Sequence, residues 1–182
     1  MSTYREDTRV QIPATHELIY GPVGTGKTES VRRNLTDEVT HSGIETWLVD
    51  LNMSLPEFAG LADKHATTMA EARTLMGQLL AEVHYRQRKL AEVGVARFEA
   101  GDARHGLPLI VVTVDDAHTI LADREICAVM EHTAQYGHKA GVVARLVVQS
   151  GERLLLTAFG GSEALRSAMT SGAVFACEKA NA

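Results

Sequence analysis

The sequence predicts an α/β domain in three layers, with a mainly parallel central sheet of about five strands flanked by helices. Three observations carry this. Short apolar runs alternate with longer stretches of helical periodicity, the pattern of a parallel sheet built from crossover units. The glycine-rich segment 21–28 directly follows one apolar run and precedes a helical stretch. A third apolar run, at 107–116, is so uniformly hydrophobic before its terminal acids that it needs cover on both faces. The chain has 182 residues, 45% of them hydrophobic and 23% charged, enough for one self-sufficient core without disulfide or zinc. We therefore expect a single domain, with residues 1–12 as a polar N-terminal extension.

Residues 16–20 (HELIY) form the first expected strand, and a helix should follow from 27 to 41, stopped by Ser42-Gly43. Residues 44–50 (IETWLVD) are a second strand, β-branched and aromatic in composition. The stretch 52–64 contains a proline and reads as loop with a short helix. Residues 70–100 give the longest helix, with Leu75, Met76, Leu79, Leu80 and Val83 at three- and four-residue spacing. Residues 99–106 are a loop by composition, 107–116 (LPLIVVTVDD) the central strand, 119–136 a helix and 142–149 (VVARLVVQ) the fourth strand. A short helix at 162–169 and a last strand at 173–177 complete the order.

Eighteen Lys and Arg against 23 Asp and Glu give a net charge of −5, which argues against a surface that is basic overall. A local basic lining stays open. Arg32, Arg33, Arg86, Arg88, Lys89, Arg97 and Arg104 are its candidates, with solvated helix faces as the plainer account. Cys127 and Cys177 form no CxxC pair and are expected as free thiols. The first ten residues lack the apolar core of a signal peptide, and no run approaches the ~18 apolar residues of a membrane helix. The expectation is a cytoplasmic protein.

The chemistry-bearing segment is Gly21-Pro22-Val23-Gly24-Thr25-Gly26-Lys27-Thr28, which fits GxxxxGK(S/T) between a strand and a helix. Glycines let successive backbone N–H groups face one concavity at a helix N-terminus, where a polyphosphate binds. Lys27 would then neutralise the β- and γ-phosphates, and the Thr28 hydroxyl would take a Mg²⁺ position. Asp115 and Asp116 end the most apolar strand, where ligands bind in open parallel sheets. Asp115 is the expected Mg²⁺-side acid, the alternative being a surface turn. Asp116 occupies the position of a base for an attacking water, which is often Glu. Its carboxylate is about 1.5 Å shorter in reach, so slow turnover is expected. Gln149 ends the fourth strand, as a γ-phosphate sensor or as a simple strand-end polar residue. The eight histidines match no zinc spacing. His118 in Asp-Asp-Ala-His invites comparison with helicases, but a second helicase domain does not fit in this length.

From 17 to 177 the order of segments resembles the motor domain of the FtsK/SpoIIIE DNA translocases, in particular their actinobacterial and plasmid-transfer branch. The resemblance rests on the phosphate loop, the helix LMGQLLAEVHYRQRKLAEVG, then LPLIVVTVDDAH, YGHKAGVVARLVVQS and FGGSEALRSAMTSG. It implies a RecA-like P-loop NTPase whose sensor strand lies between the phosphate-loop and acid-bearing strands. It also implies an ATPase using ATP and Mg²⁺, acting on double-stranded DNA as a homo-oligomer, commonly a hexameric ring. In such rings a neighbouring subunit supplies an arginine, for which Arg145, Arg153 and Arg166 are the candidates. The sequence departs from the family in carrying Asp116 for Glu and Ser150-Gly151 after the sensor Gln. Two alternatives follow: a slow nucleotide-dependent switch that binds ATP and a protein partner, and a protein-secretion ATPase module.

Overall fold

The structure, a computed structural model, describes residues 13, 15–149 and 158–177. Within them a six-stranded sheet runs in the order β3-β2-β4-β5-β1-β6 with every neighbouring pair parallel. The strands are β1 (Glu17–Gly21), β2 (Ile44–Val49), β3 (Lys64–Ala66), β4 (Leu109–Val114), β5 (Val142–Gln149) and β6 (Ala173–Ala176). The helices are α1 (Lys27–Val39), α2 (Met69–Glu92), α3 (Ala117–Ile120), α4 (Arg124–Tyr136) and α5 (Glu163–Thr170).

Strand alternation sorts the core into two layers. Leu18, Trp47, Val49, Ile110, Val112 and Val114 face α2, α4 and α5, whose Leu79, Met130 and Leu165 complete that layer. Ile19, Leu48 and Val147 face the opposite side, against Val31 and Leu35 of α1 and Phe58 of a short 3₁₀ turn. Every residue of β4 is buried, as its composition required. β5 lies between β1 and β4, which is the strand placement that the resemblance implied.

Three elements differ from expectation. β3 is an additional strand of three residues, too short and polar to register as one; it pairs with β2, and Lys64 Nζ lies 3.7 Å from the Trp47 ring centroid. The long helix ends at Glu92 rather than near 100, because Gly94 takes a left-handed φ of 70°. Its beginning is firm, with a reciprocal capping box between Thr68 and Glu71. The expected 119–136 helix is two helices. Asp123 interrupts it, capping α4 through the amides of Glu125 and Ile126 and pairing with Arg73.

Two arginines proposed for contacts outside the chain are core residues. Arg145 on β5 is 1% exposed and held by Glu17 at 2.5 Å and by Glu38 at 2.6 Å, with Thr113 beside them. It fastens the C-terminal turn of α1 to β1 and β5, and cannot reach a neighbouring subunit. Arg86 is equally buried, bonded to Glu82 and to the carbonyls of Pro108 and Gly141, so it lines no nucleic-acid surface. Both corrections have one cause: an arginine on an apolar helix face or inner strand is kept only with its charge paired inside.

His16, just before β1, is another buried polar group. Its Nδ1 accepts the Ala144 amide at 2.9 Å, which requires the neutral ring. Burial, then the nearby His138, lowers its pKa to about 4. Protonation is thus easier in the unfolded chain. Stability contributed by neutral His16 is whole above pH 6.5 and falls by about 1.4 kcal/mol per pH unit down to pH 4. Urea titrations at pH 7.5 and 5 should show this component, and His16→Asn should remove it.

Candidate phosphate-binding site

β1 delivers the chain into the loop at the C-terminal edge of the sheet, and α1 departs from the loop at Lys27. Gly24 and Gly26 have φ of 77° and 85°, a region that a side chain enters only at a cost. Gly21 is constrained differently: a Cβ there would lie 2.2 Å from the Cys177 carbonyl oxygen. Thr25 Oγ1 donates to the Pro22 carbonyl at 2.8 Å and closes the turn.

Lys27 is 7% exposed, and its ammonium donates to the carbonyls of Gly21 at 2.8 Å and Pro22 at 2.7 Å. Burial lowers its pKa, while Cys177, Asp115 and Asp116 act in the other direction. An anion entering the loop therefore offers this ammonium a better partner than two carbonyls.

The loop forms one wall of a cleft of about 470 Å³, lined also by Thr28, Asn52, Ser54, Asp115 and Gln149. Sheet register explains the convergence. Gln149 is the parallel partner of Gly21, which sets β5's last side chain beside the loop. Asp115 follows β4 directly, and its amide bonds to the Val49 carbonyl of β2. Burial, then the proximity of Asp50 and Asp116, raises the Asp115 pKa, against the lowering effect of the Ser54 hydroxyl at 2.5 Å. A buried carboxylate with two acidic neighbours gains from a cation. Thr28, Asp115 and phosphate oxygens are the donor set that Mg²⁺ takes. Among the described residues no group of three or more His, Cys, Asp or Glu side chains is disposed to hold a metal ion.

Asp116 is close to this cleft but not in its wall. Its φ is 52°, and its Oδ2 accepts from Asn52 Nδ2 and from Thr119 Oγ1, both at 3.1 Å. Arg166 lies on α5, paired with Glu163 of the same helix, and Arg153 lies outside the described residues. Among the remaining basic candidates, Arg32 is in the cleft wall and bonds to Glu29 and Glu57. Arg104 pairs with Asp102, and Arg97 is 3.9 Å from Glu99. Arg33 is on α1 whereas Arg88 and Lys89 are on α2, across the sheet, so the structure does not gather them in one stripe. Cys127 and Cys177 are free thiols.

The sequence reading missed the segment after β2. Asp50 is fully buried and accepts from Ser54 N, Ser54 Oγ and Leu55 N, which folds Asn52 and Ser54 back over the acid pair. The available signal was the acid ending IETWLVD, since a strand neighbouring the acid-bearing strand must end at the same edge.

No helix among the described residues is long and apolar enough to cross a membrane. We expect Gly21→Ala to lower unfolding stability by about 3 kcal/mol through the Cys177 clash. Gly24→Ala, whose Cβ meets open space, should cost about 1 kcal/mol. Chemical denaturation of the two variants compares them directly.

No family model matches the chain, and no curated protein matches it in sequence. Solved structures do match. The pCW3 conjugation coupling protein TcpA, in a monomer form with ATPγS, superposes with a TM-score of 0.70 at 20% identity, over 86% of this chain and 47% of TcpA. EccC ATPases 2 and 3 of Thermomonospora curvata, in complex with a signal sequence peptide, give 0.67 at 19% identity, over 86% and 30%. EssC ATPases 2 and 3 from Geobacillus thermodenitrificans give 0.64 at 14% identity, over 82% and 31%. The chain spans less than half the length of each of these structures. Its fold is the three-layer α/β fold of these structures, with the parallel central sheet flanked by helices that the sequence led us to expect.

Proposed function

We propose that this chain binds and hydrolyses ATP with Mg²⁺, as an FtsK/SpoIIIE-like motor module that acts on double-stranded DNA in a homo-oligomer. The observation that supports it is the single cleft shared by Lys27, Thr28, Asp115 and Gln149. In this reading the loop amides and Lys27 hold the β- and γ-phosphates, and Thr28 and Asp115 hold the metal. Bound Mg²⁺ supplies charge neutralisation on the phosphate oxygens. Gln149 orients the terminal phosphate, and Asp116 takes up the proton of the attacking water. Catalysis is positioning and electrostatic stabilisation, with an arginine from a neighbouring subunit as the remaining charge. Arg166 and Arg153 remain for that role. DNA as the substrate is supported by the sequence resemblance and by the likeness to a conjugation coupling protein.

A second reading is a slow nucleotide-dependent switch that binds a protein partner. The observation favouring it is that Asp116 bonds to Asn52 and Thr119 and is outside the cleft wall.

Phosphate release with and without duplex DNA tests the motor reading. We expect stimulation; equal rates would remove DNA as the substrate and leave the switch or a secretion module. Lys27→Ala should lower turnover at least a hundredfold. Asp116→Glu separates the two readings: a rise of about tenfold or more marks an attenuated site, and a fall marks Asp116 as the fitted base.

A further inference from the structure

The sheet ends at β3, and the backbone of that edge is open at one residue. The Ala66 carbonyl accepts the Asp50 amide. The alternation of a parallel pair therefore turns the backbone of Lys64 and Ala66 towards β2 and that of His65 away from it. The His65 N–H and C=O point out of the sheet, and neither has a backbone partner among the described residues. Beside them, between β3 and α2, lies a cavity of about 440 Å³ whose wall includes Lys64, His65, Thr74, Leu75 and Gln78. Leu75 is buried and gives the cavity an apolar floor.

Lys64 supplies the charge. Its Nζ rests 3.7 Å from the Trp47 ring centroid, and it forms no ion pair among the described residues. A half-buried ammonium held by a ring face gains from a carboxylate. Glu71 is also in the wall but does not meet that need. Its carboxylate accepts from Thr67 N, Thr67 Oγ1 and Thr68 N in the cap of α2.

We propose that the β3 edge is a docking site for an extended segment of a partner protein that carries an acidic residue and, two positions along, an apolar one. The proposal is independent of the nucleotide reading. A strand laid along β3 forms two hydrogen bonds with His65, which fix its register. Side chains alternate along such a strand, so the residues on either side of the one opposite His65 both point into the cavity. One lies opposite Lys64, where Cβ atoms are about 5 Å apart and opposite charges attract. The other lies opposite Ala66, on the side of the apolar floor. A second copy of this edge is a poorer occupant, because its strand residues Lys64, His65 and Ala66 include no acid.

The probe is a fluorescein-labelled Thr-Glu-Thr-Val-Thr peptide with blocked ends, titrated with the whole chain beside its counterpart with Gln for Glu. The Glu peptide should bind about fivefold more tightly than the Gln peptide, and Lys64→Gln should abolish that difference. His65→Pro removes the outward N–H, which β2 does not use, and should weaken both peptides about tenfold. Trp47 is the one tryptophan of the chain, so its emission should change as Lys64 turns to the peptide. No binding of the Glu peptide at about 1 mM overturns the proposal, as does equal binding by the parent and both variants. A concentration-dependent dimer of the parent that His65→Pro dissociates overturns it too, by assigning the edge to a second copy.

Discussion

A buried ammonium at the end of a parallel strand is the constraint around which this molecule is arranged. Lys27 is almost without solvent, and it turns back on the carbonyls of Gly21 and Pro22. A charge in that position is costly unless paired. Carbonyl oxygens pair it only in part, so an anion in the loop would be its better partner. The rest of the edge follows from the same demand. Asp115 is buried opposite and destabilised by Asp50 and Asp116, so it calls for a cation. One cleft thus has unmet needs of both signs, which the metal–polyphosphate complex proposed above would meet together.

Most of the scaffold was legible in the chain because its signals are local. The GxxxxGK(S/T) segment marks a strand before it and a helix after it. LPLIVVTV leaves no choice but burial on both faces, and both elements lie where the residues put them. The parts that were not legible depend on contacts far apart in sequence. β3 exists because Trp47 and β2 offer it an edge and a ring for Lys64, neither visible in a three-residue stretch. The end of α2 was a local signal read too weakly: Gly94 stops the helix although apolar residues continue beyond it.

For the site, the same division applies. The loop residues, Asp115 and Gln149 come together as their strand-end positions implied. Asp50, Asn52 and Ser54 were overlooked because their motif is common loop composition, and their meaning appears only when β2 and β4 are known to be neighbours. Arg145 and Arg86 show the reverse error. A charged residue within an apolar strand or helix was read as looking outward, whereas it closes an internal ionic network. The Arg145 pairs join the C-terminal turn of α1 to β1 and β5, and Arg86 separately ties α2 to the carbonyls of Pro108 and Gly141.

Gly21 has one further consequence. Its α-carbon abuts the Cys177 carbonyl, and the Cys177 amide in turn bonds to the Tyr20 carbonyl at 2.8 Å. The last edge strand and the entrance to the loop are therefore geared together with no slack between them. Tension along the backbone at Cys177 would travel straight to the entrance of the glycine-rich loop.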